Sequence, residues 1–211
     1  MIKNVIFDLD GTLLNTLEDL RDSTNAALRA FGFPERTTDE VRRFVGNGVR
    51  LLMIRATPGG EETPQFEEIL AYFRRHYAEH CFDQTRPYDG ILPMLNRLQE
   101  AGIGLAVVSN KFDAAVRELC RRYFPDQIAI AIGEREGIRK KPAPDSVLQA
   151  MRELHADPSE SLYVGDSEVD IETARNAGIP CVSVTWGFRD RDFLLAHGAS
   201  TLIDDPSELL P

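Results

Sequence analysis

The sequence predicts an α/β protein whose parallel sheet is interrupted, early in the chain, by an inserted helical subdomain. The apolar run Val5-Ile6-Phe7 is short, β-branched and aromatic, which is typical of a buried strand. Residues 16–82 show helical spacing of apolar residues and no convincing strand. Beyond Gly90, helical and strand patterns alternate, which indicates a parallel sheet with helices on both faces. The expected fold class is therefore a Rossmann-like sheet core with a helical cap.

The inserted subdomain is predicted to contain four helices. Apolar residues recur at three- and four-residue spacings over 17–31, and Gly32-Phe33-Pro34 ends that helix. A second helix is expected to begin with Thr38 as its N-cap, and a third near Asn47-Gly48. The fourth is expected to run from Pro64 to about Cys81.

Two hinges are predicted to bound this insertion. The first lies near residues 14–16, and the second lies near residues 86–90, within the breaker-rich segment 85–90. We therefore assign residues 1–14 and 87–211 to the α/β core and residues 15–86 to the cap.

Ten further elements and a terminal turn are predicted after the cap. They are helix 91–101, strand 104–108, helix 113–123, strand 128–132, helix 144–154, strand 161–164, helix 169–177, strand 181–184, a short helix near 193–197, a short strand 201–203 and a turn at 207–210.

Composition narrows the classes of function and location. The 211 residues carry 24 basic and 34 acidic side chains, a net charge of −10 that opposes non-specific binding to nucleic acid or an anionic membrane. No apolar stretch approaches the roughly 20 residues of a membrane span. Cys81, Cys120 and Cys181 are odd in number and widely spaced, so we expect free thiols in a reducing cytoplasm. The N-terminal residues have the pattern of a strand that leads into two acids, so we do not expect a signal peptide there. Monomer and homodimer both remain open.

A pair of acids follows the first predicted strand. In Asp8-Leu9-Asp10-Gly11-Thr12 the two carboxylates stand one residue apart, so in a continuing strand they would crowd each other on one side. A divalent cation would relieve that repulsion, and Mg²⁺ prefers such hard oxygen ligands. The alternative is an acidic turn after an edge strand.

Three more polar groups stand at predicted strand ends or before a helix. Ser109-Asn110-Lys111 follows one strand, Gly165-Asp166-Ser167 with Asp170 follows another, and Lys141 precedes a helix. Parallel sheets bind ligands outside the carboxyl ends of their strands, so these groups are expected to meet on one rim. Each also has a structural alternative: Ser109 as a helix cap, Lys141 as a solvated lysine, and Ser167 with Asp170 as a capping box.

Together these segments resemble the four motifs of the haloacid dehalogenase superfamily. Within it the sequence looks most similar to the bacterial phosphoglycolate phosphatase group. One departure is Asn15-Thr16, where Asp-Ser is more usual. The matching segments are Asp8-Leu9-Asp10-Gly11-Thr12, Ser109-Asn110-Lys111, Lys141 with Pro142 and Pro144, Gly165-Asp166-Ser167-x-x-Asp170, and the softer signals Val45-Gly46-Asn47-Gly48 and Thr185-Trp186-Gly187-Phe188.

The resemblance implies a mechanism. Asp8 would be the nucleophile and form an aspartyl-phosphate, and Asp10 would act as general acid and then general base. Mg²⁺ would bind the Asp8 carboxylate, the Asp10 backbone carbonyl and Asp166. Asp170 would bind a water ligand of the metal or orient Lys141.

The resemblance also implies a phosphate site. Ser109 and neighbouring backbone N–H groups, Asn110 among them, would bind the phosphoryl oxygens of a small phosphorylated metabolite. Lys141 would supply the positive charge that lets an anionic phosphate approach an anionic nucleophile.

The cap carries a run of positive charge. Residues 41–55 contain Arg42, Arg43, Arg50 and Arg55 and no acid, which suits a substrate carboxylate or phosphate. Asn47, Gly48 and Arg50 are the cap residues expected to reach the substrate. The alternative is pairing with Glu61, Glu62, Glu67 or Glu68 on the cap surface; it is favoured for Arg42, Arg43 and Arg55, and left open for Arg50.

Rival functions are separated by single features. A dehalogenase of this fold would not carry Asp10, and a phosphonate hydrolase would need a lysine in the cap, where the sequence has none. A sugar-phosphate phosphatase or a phosphomutase would share the core motifs and remains an alternative. A signalling receiver would be about half as long and lack the insertion, and a catalytically silent binding protein would not need every motif position filled. The preferred function is a Mg²⁺-dependent phosphatase of a small anionic phosphate such as 2-phosphoglycolate.

Overall fold

A six-stranded parallel sheet organises the larger part of the molecule. The structure is a computed structural model that describes residues 1–209. In chain order the elements are β1 (Asn4–Phe7), β2 (Leu14–Asn15), α1 (Leu17–Ala30), α2 (Thr38–Phe44), α3 (Val49–Ala56), α4 (Phe66–His80), β3 (Arg86–Pro87), α5 (Ile91–Glu100), β4 (Gly104–Phe112), α6 (Asp113–Tyr123), β5 (Ile130–Glu134), α7 (Asp145–Leu154), β6 (Ser161–Gly165), α8 (Glu168–Ala177), β7 (Cys181–Val184), α9 (Arg191–Ala196) and β8 (Leu202–Ile203).

β1 lies in the middle of the sheet: β4 and then β5 are added on one side of it, and β6, β7 and β8 are added on the other. The order is β5-β4-β1-β6-β7-β8, and all the pairings are parallel. Phe7 lies opposite Val107 on one side and Val164 on the other. The α/β fold with a Rossmann-like sheet is thereby confirmed. In such folds ligands bind beyond the carboxyl ends of the strands at the point from which strands are added in opposite directions, so the loops after β1, β4 and β6 are the place to look for a site.

The sheet is held by apolar burial on both faces. All four residues of β1 are buried, as expected for a strand with helices on each side. Burying each large aliphatic or aromatic side chain contributes about 1.5–3 kcal/mol. One core cluster packs α7 and α8 against the strands through Ile6, Ala106, Val108, Ile132, Val147, Ala150, Met151, Tyr163, Ala174 and Ile179.

The chain divides into two compact units. One comprises Met1–Leu14 and the chain from Pro87 onward, and the other comprises Asn15–Arg86. β2 and β3 pair with each other in a separate two-stranded sheet, where the chain passes from one unit to the other.

The second unit contains α1 to α4. The carboxylate of Asp19, which is buried, accepts hydrogen bonds from Gln84 N at 2.9 Å and Thr85 N at 2.8 Å, and thereby ties the end of this unit to its first helix. The predicted N-cap of α2 is wrong by one residue. Thr37, not Thr38, is the N-cap, because Glu40 stands three residues after Thr37 and completes a capping box with it.

Several core elements differ from prediction at their ends. β4 continues to Phe112 instead of ending at Val108, with a register shift between these two residues. The strand therefore includes the polar residues 109–111, at which the apolar pattern used for the prediction has already ended. The predicted terminal turn is a short 3₁₀ helix, Pro206–Glu208, and Leu210 lies outside the described residues.

Two composition-based predictions can be compared with the structure. All three cysteines are free, with Cys81 and Cys120 buried and Cys181 half-buried. Over residues 1–209, no helix is both long enough and apolar enough to cross a membrane. The cytoplasmic location stays a prediction.

Candidate active site

Asp8 occupies the first position after β1. Its backbone N–H donates to Val164 O on the neighbouring strand at 2.9 Å, which fixes the residue beside β6. Lys141 Nζ lies 2.8 Å from Asp8 Oδ1, and both side chains are buried. Burial raises the pKa of Asp8 to about 7, the charges of Asp170 and Asp10 add to that rise, and Lys141 opposes it.

Lys141 is a buried cation with several anionic and polar partners. Its Nζ donates to Asp170 Oδ1 at 2.8 Å and to the Tyr163 hydroxyl at 3.0 Å. Burial acts to lower the pKa of Lys141, but the charges of Asp170 and Asp8 outweigh it and raise that pKa. The lysine therefore keeps its charge across the physiological range of pH and is not a solvated loop residue.

Asn110 fixes the backbone of this lysine. Asn110 Nδ2 donates to Lys141 O at 2.9 Å, and Lys141 N donates to Asn110 Oδ1 at 2.7 Å. Each polar group of the amide makes one of these contacts, so the Asn110 side chain positions Lys141. A contact of the Asn110 backbone N–H with substrate stays a prediction.

Asp166 is packed closely against two glycines, Gly11 and Gly187, at which a side chain would clash with its carboxylate or Cβ. Thr12 Oγ1 donates to its Oδ1 at 3.3 Å, and Phe188 N donates to its Oδ2 at 2.7 Å. A Cβ on Gly11, whose φ is +87°, would lie 2.3 Å from Asp166 Oδ2, and one on Gly187 would lie 2.3 Å from Asp166 Cβ. Burial, followed by the charges of Asp170 and Asp8, raises the pKa of Asp166 well above its ordinary value.

Asp170 caps α8 and also contacts Lys141, while its binding of a water ligand of the metal stays a prediction. Its Oδ2 accepts from Ser167 N at 3.1 Å and from Ser167 Oγ, which forms the capping box of α8. Its Oδ1 accepts from Lys141 Nζ and from the Tyr163 hydroxyl. The helix cap therefore also orients the buried lysine.

The carboxylates of Asp8, Asp166 and Asp170 form a group that fits a hard divalent cation. One ligand atom from each lies within 4.8 Å of the other two. With Lys141 as the buried cation beside them, the group is left with excess negative charge when its acids are ionised, and such burial is costly without compensation. Oxygen donors alone suit Mg²⁺.

Asp10 lies in the loop after β1, and Ser109 lies in the second half of the neighbouring strand β4. The Asp10 carboxylate accepts from Lys111 Nζ at 2.8 Å, so its predicted metal contact rests on its backbone carbonyl alone and stays a prediction. The buried Ser109 Oγ accepts from Lys111 N at 3.2 Å and does not have to act as a helix cap, because α6 begins only at Asp113.

Four residues make contacts at this site that were not predicted from the sequence: Lys111, Tyr163, Trp186 and Phe188. Lys111 could have been found, since it directly follows Ser109 and Asn110 at a predicted strand end. Tyr163 could not, because inside an apolar strand it reads as core. Trp186 Nε1 donates to Thr12 O at 3.0 Å, so the softer motif 185–188 supports the site through Trp186 and Phe188.

The candidate cap residues lie in the second unit. Asn47, with φ of +59°, and Gly48 form the turn before α3, and their contact with substrate stays a prediction. Arg50 donates to Glu67 Oε1 at 2.7 Å and also to Glu61, which is the surface pairing left open for it. Its guanidinium also lies over the ring of Phe66, 5.2 Å from the centroid.

Two other arginines of the run make contacts beyond the glutamates expected for them, and the pairing of Arg43 stays a prediction. Arg42 pairs with Asp39 at 3.5 Å, and Arg55 donates to Phe44 O at 2.8 Å. Both contacts involve α2: the first joins two of its exposed side chains, and the second reaches the carbonyl oxygen of its last residue.

Comparison with known proteins assigns the family. Residues 5–184 match the model of the haloacid dehalogenase-like hydrolases. The chain is 34% identical to N-acetylmuramic acid 6-phosphate phosphatase of Pseudomonas aeruginosa, over 99% of this chain and 93% of that protein. It is 36% identical to phosphoglycolate phosphatase of Agrobacterium fabrum, over 98% of this chain and 90% of that protein.

Solved structures agree. A crystal structure from Lactobacillus delbrueckii subsp. bulgaricus has a TM-score of 0.95 at 36% identity and covers 98% of this chain and 96% of that chain. The crystal structure of CbbY from Rhodobacter sphaeroides in complex with phosphate has a TM-score of 0.75 at 28% identity and covers 99% and 96%. The rim of the sheet carries several acids around a buried lysine, and the relatives that the chain matches over nearly their whole length are phosphatases. This chain therefore belongs to the haloacid dehalogenase-like hydrolases and is a phosphatase of that superfamily.

Proposed function

We propose that this chain is a Mg²⁺-dependent phosphomonoester hydrolase that cleaves a small anionic phosphate through an aspartyl-phosphate intermediate. The observation that carries the proposal is the buried Asp8 carboxylate, which lies 2.8 Å from the Lys141 ammonium in a group with Asp166 and Asp170. A carboxylate is a poor nucleophile toward an anion unless positive charge is fixed beside it, and Lys141 is held there by Asp170 and Asn110.

In the proposed first step, an Asp8 carboxylate oxygen forms a bond to phosphorus as the bond to the leaving oxygen breaks. The electron pair of that bond stays on the leaving oxygen, and protonated Asp10 gives it a proton. The products are the alcohol and an aspartyl-phosphate on Asp8. Lys141 balances the charge of the phosphoryl oxygens during transfer, and Ser109 with neighbouring backbone N–H groups donates hydrogen bonds to them.

In the proposed second step, Asp10 is a carboxylate and acts as the base. It takes a proton from a water molecule whose oxygen forms the new bond to phosphorus. The bond between phosphorus and the Asp8 oxygen breaks, which releases inorganic phosphate and restores both carboxyl groups to their starting states.

Asp8, Asp166 and the Asp10 backbone carbonyl would hold Mg²⁺, with Asp170 as a neighbouring carboxylate. When bound, the ion supplies compensation for the charge of the acids and of the phosphate. Thr12 and Phe188 keep the Asp166 carboxylate oriented for that role.

The substrate is proposed to carry a carboxylate as well as its phosphate. The names of the two curated relatives share this chemistry, since both phosphoglycolate and N-acetylmuramic acid 6-phosphate are phosphorylated acids. 2-Phosphoglycolate is the first candidate. N-acetylmuramic acid 6-phosphate is the second, because the Pseudomonas aeruginosa relative matches 99% of this chain. A phosphomutase is the less favoured alternative, because the curated relatives named above are phosphatases.

A phosphate-release screen tests the substrate class. We expect 2-phosphoglycolate to be cleaved with a kcat/KM at least about tenfold above that of ethyl phosphate, which lacks the carboxylate, since one charge-assisted contact is worth about 1.5–3 kcal/mol. N-acetylmuramic acid 6-phosphate and N-acetylglucosamine 6-phosphate form the matched pair for the second candidate. Equal rates within both pairs would contradict a carboxylate-bearing substrate while leaving the phosphatase assignment in place.

Arg50→Ala tests the cap residue predicted to bind the substrate tail. Because Arg50 pairs with Glu61 and Glu67 and is exposed at 40% of its side chain, we expect losses of less than about threefold on 2-phosphoglycolate and on p-nitrophenyl phosphate alike. The measurement is kcat/KM for both substrates on one preparation, with Arg42→Ala as the matched control. A loss confined to 2-phosphoglycolate would show instead that Arg50 contacts the carboxylate.

A further inference from the structure

The ion pair between Asp10 and Lys111 has no role in the function proposed above. Lys111 Nζ donates to Asp10 Oδ1 at 2.8 Å, and the two side chains are only 6% and 15% exposed. Removing a lysine ammonium from water is costly unless it gains a partner of opposite charge. A buried lysine at this position therefore calls for a functional reason.

The backbone of β4 places this lysine beside Asp10. β1 and β4 are parallel neighbours, with Phe7 opposite Val107, so the loop after β1 lies beside the second half of β4, which contains Lys111. The register shift in the second half of β4 falls where Lys111 lies. Ser109 Oγ accepts from Lys111 N at 3.2 Å and holds the backbone at this irregularity.

The contact engages one oxygen of the Asp10 carboxylate and leaves the other. Among residues 1–209, Oδ1 accepts from Lys111 and no hydrogen bond to Oδ2 is seen. Asp10 lies in a loop, where two side-chain torsions would otherwise let the carboxyl group rotate. A general acid must stay within hydrogen-bond reach of the atom that receives its proton.

We propose that Lys111 is a positioning residue for proton transfer by Asp10: it anchors Oδ1 and thereby leaves Oδ2 to exchange the proton with the leaving group and then with water. The proposal rests on the proposed function, in which Asp10 protonates the leaving oxygen as its bond to phosphorus breaks. Lys111 itself gains and loses no proton and contacts no reacting atom.

The leaving group provides the test. p-Nitrophenyl phosphate releases a stable anion and needs little protonation, whereas phenyl phosphate has nearly the same shape and a much poorer leaving group. For Lys111→Met we expect kcat/KM, which reports the steps up to release of the leaving group, to fall about ten- to a hundredfold on phenyl phosphate, which is part of the 10²–10⁴-fold that a general acid contributes. We expect kcat/KM on p-nitrophenyl phosphate to fall less than about threefold. Hydrolysis of the aspartyl-phosphate is the same step for both substrates, so a slower second step does not change the ratio of the two kcat/KM values.

Matched variants separate this role from a structural one. Lys3→Met makes the same substitution at an exposed surface lysine that pairs with Glu160, and it should leave the activity on both substrates unchanged. Lys111→Gln keeps a donor for the Asp10 carboxylate and should recover part of the loss on phenyl phosphate. If Lys111→Met does not fold, as judged by its thermal melt, the same two-substrate comparison on Lys111→Gln decides the question.

Each outcome either supports or overturns the proposal. Equal losses of kcat/KM on the two substrates would show that Lys111 only supports the fold or binds the phosphate that both substrates share; either result overturns the proposal. Asp10→Asn is measured in parallel. If Asp10→Asn loses activity selectively on phenyl phosphate and Lys111→Met does not, only the positioning role of Lys111 fails. If Asp10→Asn shows no selectivity, the acid assignment in the proposed function fails, and the role of Lys111 falls with it.

Discussion

Replacing Asp8 by asparagine is expected to abolish turnover while the fold persists. Asparagine keeps the size of the side chain and one oxygen near Lys141, but it removes the anion that would attack phosphorus. Loss of a covalent nucleophile lowers kcat by about a thousandfold or more in enzymes where the other groups are retained. Phosphate release from p-nitrophenyl phosphate in the presence of Mg²⁺ measures the loss.

The thermal melt of the same variant separates chemistry from folding. Asp8 is buried, and its pKa of about 7 reflects both burial and the nearby charges of Asp170 and Asp10. Removing one of three crowded carboxylates relieves that repulsion, so without metal the variant should be at least as stable as the unaltered protein. Asp39→Asn, at a position where the side chain is 76% exposed, is the control and should retain full activity. Activity of Asp8→Asn within about tenfold of the unaltered protein would show that another group is the nucleophile.

Most of the fold can be predicted from the sequence because the spacing of apolar residues changes abruptly between one element and the next. Helix α6 and strand β7 have the predicted bounds, since each is flanked by residues that break the pattern. The end of β4 was missed because a strand assignment follows apolar residues, and beyond Val108 the strand continues through serine, asparagine and lysine. Backbone pairing with β5, which sequence patterns do not report, decides that boundary.

The site is readable where a residue's chemistry is unusual for its position. Two acids after an apolar strand, or a lysine before a helix, stand out against their surroundings, and the structure brings Asp8, Lys141, Asp166 and Asp170 together. Partners with ordinary character do not stand out. The hydroxyl of Tyr163 touches Lys141 and Asp170, yet its ring is core, and the hydrogen bond from Phe188 to Asp166 comes from the backbone.

The pairing of charges across a surface was the least predictable feature. Arg50 could have been assigned to substrate or to glutamates on its own unit, because sequence gives the number of charges but not the direction of long side chains. The structure places Glu61 and Glu67 beside its guanidinium. Its contact with substrate stays a prediction for the experiment described above.

Removing the metal is the second change with a large expected effect. We expect chelation with EDTA to abolish phosphate release and added Mg²⁺ to restore it, because the carboxylates of Asp8, Asp166 and Asp170 offer oxygen ligands within 4.8 Å of one another. In the part of the chain that the structure describes, no histidine or cysteine joins this group, so Zn²⁺ should restore activity less well. Full activity in excess chelator would overturn the proposed site.

Asp166→Asn gives a readout of the same site that does not depend on activity. The asparagine keeps an oxygen for the Phe188 N–H, and the Thr12 hydroxyl can rotate to accept from the new amide. In EDTA the variant should melt above the unaltered protein, because one buried negative charge is gone, and the raised pKa of Asp166 shows that this charge is disfavoured.

Added Mg²⁺ should act in the opposite direction. An ion that binds only the folded state stabilises it by about 2.7 kcal/mol at roughly a hundredfold excess over Kd, so the unaltered protein should gain thermal stability. Asp166→Asn should gain little, because it has lost a ligand, and the difference between the two melts should shrink or reverse. Asp126→Asn, at an exposed position of the same unit, is the control and should respond to Mg²⁺ as the unaltered protein does. If Mg²⁺ raised the melting temperature of Asp166→Asn as much as that of the unaltered protein, the ion would be bound elsewhere, and the excess charge of the three carboxylates would need another explanation.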